Sequence, residues 1–187
     1  MKKINTTSLA HSFFAEHLKE HKLVVDATVG HGFDTMFLCE SVGKEGKVIG
    51  FDIQEMALNS AKERLENAGL LEQVELIYDS HTNMEHYIQK ETVDGMMFNF
   101  GYLPKGDHSI CTKPDTSVKA IELGLSLLKK GGIMTLCIYH GKDTGYEERD
   151  AILSYLETIP HREYAVLVTN LYNRPNDPPI FAGIIKE

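Results

Sequence analysis

Apolar, β-branched runs recur along this 187-residue chain, separated by helix-like segments, and that alternation restricts the possible folds more than any other feature. The runs are residues 23–27 (LVVDA), 47–53 (KVIGFDI), 74–79 (VELIYD), 93–99 (VDGMMFN), 132–139 (GIMTLCIY), 164–170 (YAVLVTN) and 179–185 (PIFAGII). Near-continuous apolar character suits strands covered on both faces. Between them, residues 56–68 carry Leu58, Ala61, Leu65 and Ala68 at helical spacing and stop before Gly69, a good C-cap residue. Residues 117–130 carry Val118, Ile121, Leu125 and Leu128, then Lys129, Lys130 and two glycines, and residues 146–156 form a third helical segment. Only a Pro/Asn loop separates the last two runs, which predicts an antiparallel hairpin at the sheet edge. The expectation is one doubly wound α/β domain over residues 1–187, with a seven-stranded, mostly parallel sheet and a terminal antiparallel hairpin.

Composition removes several classes. No apolar run has the length of a membrane span, which predicts no membrane partner. The start, with Lys2 and Lys3 but no apolar stretch behind them, does not read as a secretory signal. Cys39, Cys111 and Cys137 are odd in number and widely spaced, which argues against a disulfide framework or a CxxC metal site. No metal is expected, and a reducing cytoplasm is the default location. The formal net charge of −8 counts against broad nonspecific nucleic-acid binding but is compatible with a local basic patch.

The first apolar run leads into Asp26-Ala27-Thr28-Val29-Gly30-His31-Gly32-Phe33-Asp34-Thr35. A glycine-rich turn between strand and helix lets backbone approach a ligand closely. A dinucleotide fingerprint would place a third glycine where Thr35 stands, which weakens an NAD reading, and no P-loop pattern occurs. S-adenosylmethionine (SAM) has no pyrophosphate, and its sulfonium and amino group favour an acidic loop such as one flanked by Asp26 and Asp34. The plainer role for both is capping the next helix. Asp52 ends the second run about 20 residues after the glycines, where a carboxylate accepts ribose hydroxyls whether the ligand is NAD or SAM. Ile53 would then lie beside the adenine. Asp79, followed by Ser80 and His81, ends the third run; it is placed either to contact the adenine amino group or to cap a helix, and His81 to contact cofactor or to cap.

The fourth run ends in Asn99-Phe100-Gly101-Tyr102-Leu103-Pro104. The carboxyl end of a strand, beside the crevice, is where open α/β sheets do chemistry. The quartet is similar to the Asn-Pro-Pro-Tyr motif of amino methyltransferases, with the Asn and the aromatic kept and both prolines replaced. An Asn side-chain oxygen and a nearby carbonyl accept the two hydrogens of an amine and aim its lone pair, while Tyr102 packs on the substrate ring. An ordinary turn Asn and core Tyr are the alternative.

Taken together, the glycine loop, the segment from Asn99 through Lys105-Gly106-Asp107-His108, and Tyr139-His140-Gly141 resemble a bacterial group long labelled rRNA methylases. That group includes the tRNA wobble-uridine 5-aminomethyl-2-thiouridine methyltransferase family (MnmM type). The resemblance spans nearly the whole chain, and the Asn loop is its most specific part. It implies a class I, Rossmann-like methyltransferase fold, SAM as cofactor and an RNA amine as acceptor. The product would be 5-methylaminomethyl-2-thiouridine in the tRNA anticodon stem-loop. The implied cofactor residues are Asp26, Gly30, Gly32, Asp34, Asp52 and Asp79, extended by position to Thr28, Thr35, Ile53, Ser80, His81 and Asn99. Asn99 takes the amine-site role. The six-stranded parallel nucleotide-binding fold is the structural rival.

Asp107 and His108 are the candidates to take the amine proton, with polar loop residues as the plainer reading. Lys105, Lys142 and Arg174, together with Lys113 and Lys119, fall in or near loops expected at the carboxyl end of the sheet, where they form a small basic rim for phosphates or simply solvated lysines. Tyr139, His140 and the 173–178 loop are placed to hold a flipped base. One small acidic subunit offers little surface for tRNA, and a homodimer would enlarge it. Other functions weighed are cysteine-based C5 methylation through Cys111, rRNA or small-molecule methylation, and noncatalytic SAM binding. Only Lys113 stands near Cys111 to activate its thiol, and the last reading leaves the Asn99 loop without a purpose.

Overall fold

A computed structural model describes residues 4–18, 23–101, 111–141 and 145–187. Its seven strands are β1 (Leu23–Asp26), β2 (Lys47–Asp52), β3 (Val74–Tyr78), β4 (Val93–Phe100), β5 (Leu128–Ile138), β6 (Tyr164–Thr169) and β7 (Ile180–Lys186). Five helices accompany them: α1 (Thr6–His17), α2 (Phe33–Val42), α3 (Glu55–Ala68), α4 (Pro114–Leu127) and α5 (Tyr146–Thr158). The strands form one sheet in the order β3-β2-β1-β4-β5-β7-β6. β1 to β5 are mutually parallel; β7 runs antiparallel beside β5, and β6 pairs antiparallel with it at the edge. The seven strands and the reversed terminal hairpin are as the sequence predicts. The chain runs outward from β1 through β2 to β3, then restarts at β4 on the other side of β1. The β1/β4 boundary is therefore the topological switch point, where the carboxyl ends of parallel strands open a crevice.

The sheet is covered on both faces, which is why its central strands carry so few polar residues. Met96, Phe98 and Phe100 of β4 point to one side, against Ile121 and Leu125 of α4 and Ile152 and Leu156 of α5. Met97 points to the other, with Val24, Val48, Cys137 and Phe181, against Ala10 and Phe14 of α1 and Leu38 and Cys39 of α2. α3 ends as expected at Gly69, in the left-handed conformation with its N–H on Glu66 O.

Two differences from the sequence reading have local causes. Residues 6–17, which the apolar pattern does not single out, form α1. Asn5 caps it, accepting from Ser8 N at 2.7 Å while Asn5 N donates to Ser8 Oγ at 3.0 Å, a reciprocal capping box. The helix expected through Lys130 ends at Leu127. Leu128 is already extended and pairs with Val93, and the register shifts across 129–132, where Gly131 takes φ 78°. Lys129 leaves the helix face to pair with the buried carboxylate of Asp94.

α1 lies so close to β4 that a Cβ on Gly95 would fall 2.5 Å from Phe14 Cζ. Gly95→Ala should therefore force the Phe14 ring out of place and destabilise the fold by about 1–3 kcal/mol. Urea unfolding checks this: the midpoint should fall with an unchanged slope.

Candidate active site

The loop from β1 to α2 is organised by a carboxylate with no solvent exposure. Asp26 accepts from Thr28 N at 3.2 Å and from Thr35 Oγ1 at 2.6 Å. It thus ties the end of β1 to the first turn of α2, beneath the glycines and not facing solvent. Burial pushes its pKa up to about 7, helped by the nearby charge of Asp34 and opposed by the Thr35 and Thr28 donors. Gly30 and Gly32 both take positive φ, 51° and 76°. A Cβ on Gly32 would stand 2.8 Å from Ala61 Cβ, so the missing side chain there lets α3 close on the loop.

Asp52 at the end of β2 holds the same loop from the other side. Its Oδ2 accepts from Gly30 N at 2.8 Å and its Oδ1 from Gln54 N at 2.9 Å. Burial raises its pKa, and the Gly30 and Gln54 N–H groups oppose the rise. Each oxygen keeps a further lone pair for a ligand hydroxyl. Ile53 next to it is 52% exposed, an apolar side chain only partly covered by protein. Asp79 past β3 accepts from Ser80 N at 2.7 Å, Asn83 Nδ2 at 2.8 Å and Tyr87 Oη at 2.9 Å; the Asn83 donor, more than the others, holds its carboxyl below the usual range. The helical cap that follows belongs to Ser80, whose Oγ accepts from Thr82 N. His81 packs edge-on to Phe98 and Phe100, with Nδ1 3.2 Å from Ala27 O, and burial lowers its pKa.

Asn99 lies at the switch point. Asp26 is level with Met97, so Asn99 stands two residues further along β4, toward the crevice. Its backbone N–H donates to Thr28 Oγ1 at 2.8 Å, and its side-chain Nδ2 donates to Asp34 Oδ2 at 2.7 Å. A carboxylate only accepts, so this contact assigns the NH2 side of the amide to Asp34 and leaves Oδ1 as the outward acceptor. The neighbouring carbonyl of Phe100 accepts from Tyr139 N and keeps one lone pair, whereas that of Gly101 accepts from both Thr112 N and Thr112 Oγ1. Gly101 N also donates to Thr112 Oγ1 at 2.7 Å, so the residue just past β4 and the approach to α4 are tied together.

The other sequence candidates are partly dispersed. Tyr139, just past β5, is 38% exposed, and its hydroxyl lies 3.3 Å from Thr7 Oγ1 of α1. His140 rests edge-on against Tyr146. Arg174 donates to Ile4 O at 3.1 Å, so part of its guanidinium holds the N-terminal segment. Lys113 and Lys119 are exposed at the start of α4 and one turn into it. Cys111 is exposed, whereas burial raises the thiol pKa of Cys39 to about 11 and that of Cys137 further. Tyr102, Lys105, Asp107, His108 and Lys142 lie outside the described residues. The sequence reading missed one site residue: His11 of α1 reaches Asp34 Oδ1 with Nε2 at 2.7 Å. Its helix is legible only through the Asn5/Ser8 cap.

A family model for rRNA methylases matches residues 48–185. The chain is 42% identical to an rRNA methylase of Clostridium thermocellum of known structure, with each chain covered completely and a TM-score of 0.95. It is 33% identical to a methyltransferase of Streptococcus mutans solved in complex with SAH, again with complete coverage and a TM-score of 0.88. It is also 33% identical over 181 residues to the chloroplastic tRNA (mnm(5)s(2)U34)-methyltransferase of Arabidopsis thaliana. That match covers 92% of this chain and 66% of the relative's length. The fold is thus shared along the whole of each chain with both solved bacterial proteins.

Asp26 makes stability depend on pH in a defined direction. Its folded pKa, about 7, exceeds the ordinary 3.8. The stabilisation it provides is complete below about pH 4 and is lost as pH rises through about 7, because ionisation then opposes folding. A pKa difference of about three corresponds to roughly 4 kcal/mol as an upper bound. Asp26→Asn cannot ionise, and the Thr35 hydroxyl can turn to suit the amide. Its urea midpoint, relative to the parent chain, should improve from about pH 4 to about pH 7 and level off above that. A pH-independent difference would contradict this.

Proposed function

Because the chain belongs to the rRNA methylase family, we propose that it is a SAM-dependent methyltransferase that modifies tRNA, acting on the aminomethyl group of wobble uridine. The reaction converts 5-aminomethyl-2-thiouridine to 5-methylaminomethyl-2-thiouridine. Its cofactor is S-adenosylmethionine, and its partner is the tRNA anticodon stem-loop. The whole 187-residue chain acts as one class I domain, working in the cytoplasm as a homodimer. The kinship with the Arabidopsis enzyme supports the substrate, and the SAH complex of the Streptococcus protein supports the cofactor.

The observation that carries this reading is the fixed amide of Asn99. With Nδ2 committed to Asp34, Oδ1 is the acceptor that an amine N–H meets at the mouth of the β1/β4 crevice. Bound SAM supplies an electrophilic methyl group on a sulfonium. The residues present suit it. Asp52 offers lone pairs to ribose hydroxyls, Ile53 offers a partly exposed apolar side chain for adenine, and Asp26, Asp34 and Asp52 together make the loop negative toward a cation. Asp79, followed by Ser80 and His81, would take the adenine amino group, and Thr28, Gly30, Gly32 and Thr35 would shape the loop that holds the cofactor.

Chemically, the neutral amine nitrogen gives its lone pair to the methyl carbon, and the carbon–sulfur bond breaks with its electrons going to sulfur. The new secondary ammonium then loses a proton. Asn99 Oδ1 accepts one amine hydrogen and a nearby carbonyl the other, which points the lone pair at the methyl. Holding two reactants in attack geometry supplies roughly 7–11 kcal/mol of barrier reduction. Tyr102 packs on the base, Asp107 and His108 receive the proton, and Tyr139 and His140 flank the base. Lys105, Lys142 and the free face of Arg174 steer phosphates. A cysteine mechanism is disfavoured because it would leave the Asn99 amide without a role.

Three measurements test this reading. Calorimetry should show SAM binding that Asp52→Ala weakens by tenfold or more, on the order of 1.4 kcal/mol, without comparable NAD binding. Mass spectrometry of wobble nucleosides from a strain lacking the gene should show the aminomethyl precursor accumulating, with the parent gene restoring the methylated product. Asn99→Ala should bind SAM normally yet turn over about a hundredfold more slowly, by analogy with loss of one oxyanion-hole donor. Normal turnover by that variant would sink the amine-orienting role.

A further inference from the structure

We propose that His11, on the N-terminal helix, is a positioning residue for methyl transfer, fixing the Asn99 amide through Asp34. The proposal rests on the amine-methylation reading above and extends it to a residue outside the loop and strand ends that hold the rest of the site.

The contacts form a short chain. His11 Nε2 lies 2.7 Å from Asp34 Oδ1, and Asp34 Oδ2 accepts from Asn99 Nδ2 at 2.7 Å. One carboxylate thus has a different partner on each oxygen. With both oxygens engaged, the carboxylate plane is fixed, and with it the direction in which Nδ2 of Asn99 must point. Without His11, Asp34 can rotate about χ2, and the Asn99 amide gains a second orientation with Oδ1 turned away from the amine. Positioning is sensitive to such changes, since a 1 Å misplacement can cost about a hundredfold in rate.

The His11 ring is itself held. It stacks on Phe37 of α2, with ring centroids 3.8 Å apart and planes 1° from parallel. Phe37 in turn meets Phe14 of α1 edge-on. Other contacts pin the same end of α1 to the crevice edge: Thr6 Oγ1 donates to Pro179 O at 2.9 Å, and Thr7 meets Tyr139. Packing the core alone would need only the apolar face of α1, carrying Ala10 and Phe14. A partly exposed imidazole directed at the carboxylate that holds Asn99 serves the site.

Two substitutions separate the hydrogen bond from the stack. His11→Phe keeps a ring on Phe37 and removes the donor. His11→Gln loses the ring but keeps an N–H at nearly the position of Nε2. Single-turnover assays on aminomethyl-bearing anticodon stem-loop RNA should show His11→Phe slowed on the order of tenfold, with SAM affinity and RNA KM within about twofold of the parent. His11→Gln should recover most of that rate. In an Asn99→Ala background, His11→Phe should cause no further slowing, because the residue it positions is gone. Full activity of His11→Phe overturns the proposal, as does equal slowing in the Phe and Gln variants that tracks their loss of thermal stability. A readout free of substrate separates this from failure of the functional reading. The Asn99 side-chain amide signals in a 15N-correlation spectrum, identified by their loss in Asn99→Ala, should move or broaden in His11→Phe and return toward the parent position in His11→Gln. If the parent enzyme methylates no RNA amine while those signals respond, the substrate assignment fails and the positioning contact stands. If they do not respond, the positioning contact fails.

Discussion

The site depends on how a fully buried carboxylate is satisfied. Asp26 sits at the end of β1 with no water to solvate it, and leaving it without donors would cost several kcal/mol. The two donors it has, Thr28 N–H and Thr35 Oγ1–H, belong to the two ends of the glycine loop. The conformation of that loop is therefore the one that brings both donors onto a single side chain. Other contacts follow from it. Thr28, once held, presents Oγ1 to Asn99 N. Thr35, once held, sets the first turn of α2, which carries Asp34 to Asn99. β1, β4 and α2 are thus registered on one another by polar contacts at the point where the sheet reverses its direction of growth.

The same arrangement concentrates negative charge. Asp34 and Asp52 both raise the pKa of Asp26, so the loop holds acidic groups that oppose one another's ionisation. A cationic ligand relieves that opposition, whereas a pyrophosphate would add to it. The charge around the loop, like the missing third glycine, therefore favours a sulfonium ligand over a dinucleotide. The price is stability of the free protein near neutral pH, a trade common where a site is built ahead of its ligand.

How much of this was legible in the sequence depended on whether the signal was local. The apolar runs that became β1 to β7 could be read because strands buried on both faces must be apolar along their length, and α3 because its periodicity ends in Gly69. Asp26, Asp52 and Asp79 were legible as residues at or just past strand ends, and Asn99 by its place at the carboxyl end of β4. The sequence did not distinguish the buried Asp26 from the more open Asp52, since burial depends on α2 and α3 closing over the loop, a tertiary event. Nor did it show that β7 inserts between β5 and β6, because hairpin spacing is the same whichever strand takes the edge. The end of α4 was misplaced because Leu128 continues the helical period, while its backbone is claimed by Val93 across the sheet. α1 went unread because its apolar residues are few and cluster around Phe13 and Phe14, and the meaning of His11 lies in Asp34, 23 residues away in the chain.

α1 also determines how rigid the acceptor side of the site is. Its apolar residues Ala10 and Phe14 belong to the core cluster under β1 and β4, so the helix is held by burial of the kind that stabilises the whole fold. Its polar residues Thr6, Thr7 and His11 reach the crevice edge at Pro179, Tyr139 and Asp34, and Arg174 closes the same corner on Ile4. These polar contacts are individually weak and partly solvated, each contributing at most about 1 kcal/mol. Anchored to the core by Phe14, however, they open only when the helix itself opens, and a pair that would otherwise fray takes on the opening free energy of the helix. A terminal segment commonly frays unless it is docked. Here the docking residue and the site-facing residues alternate along one helix, so the precision available at Asn99 derives from the burial of Phe14 against β4 as much as from the hydrogen bonds that touch it.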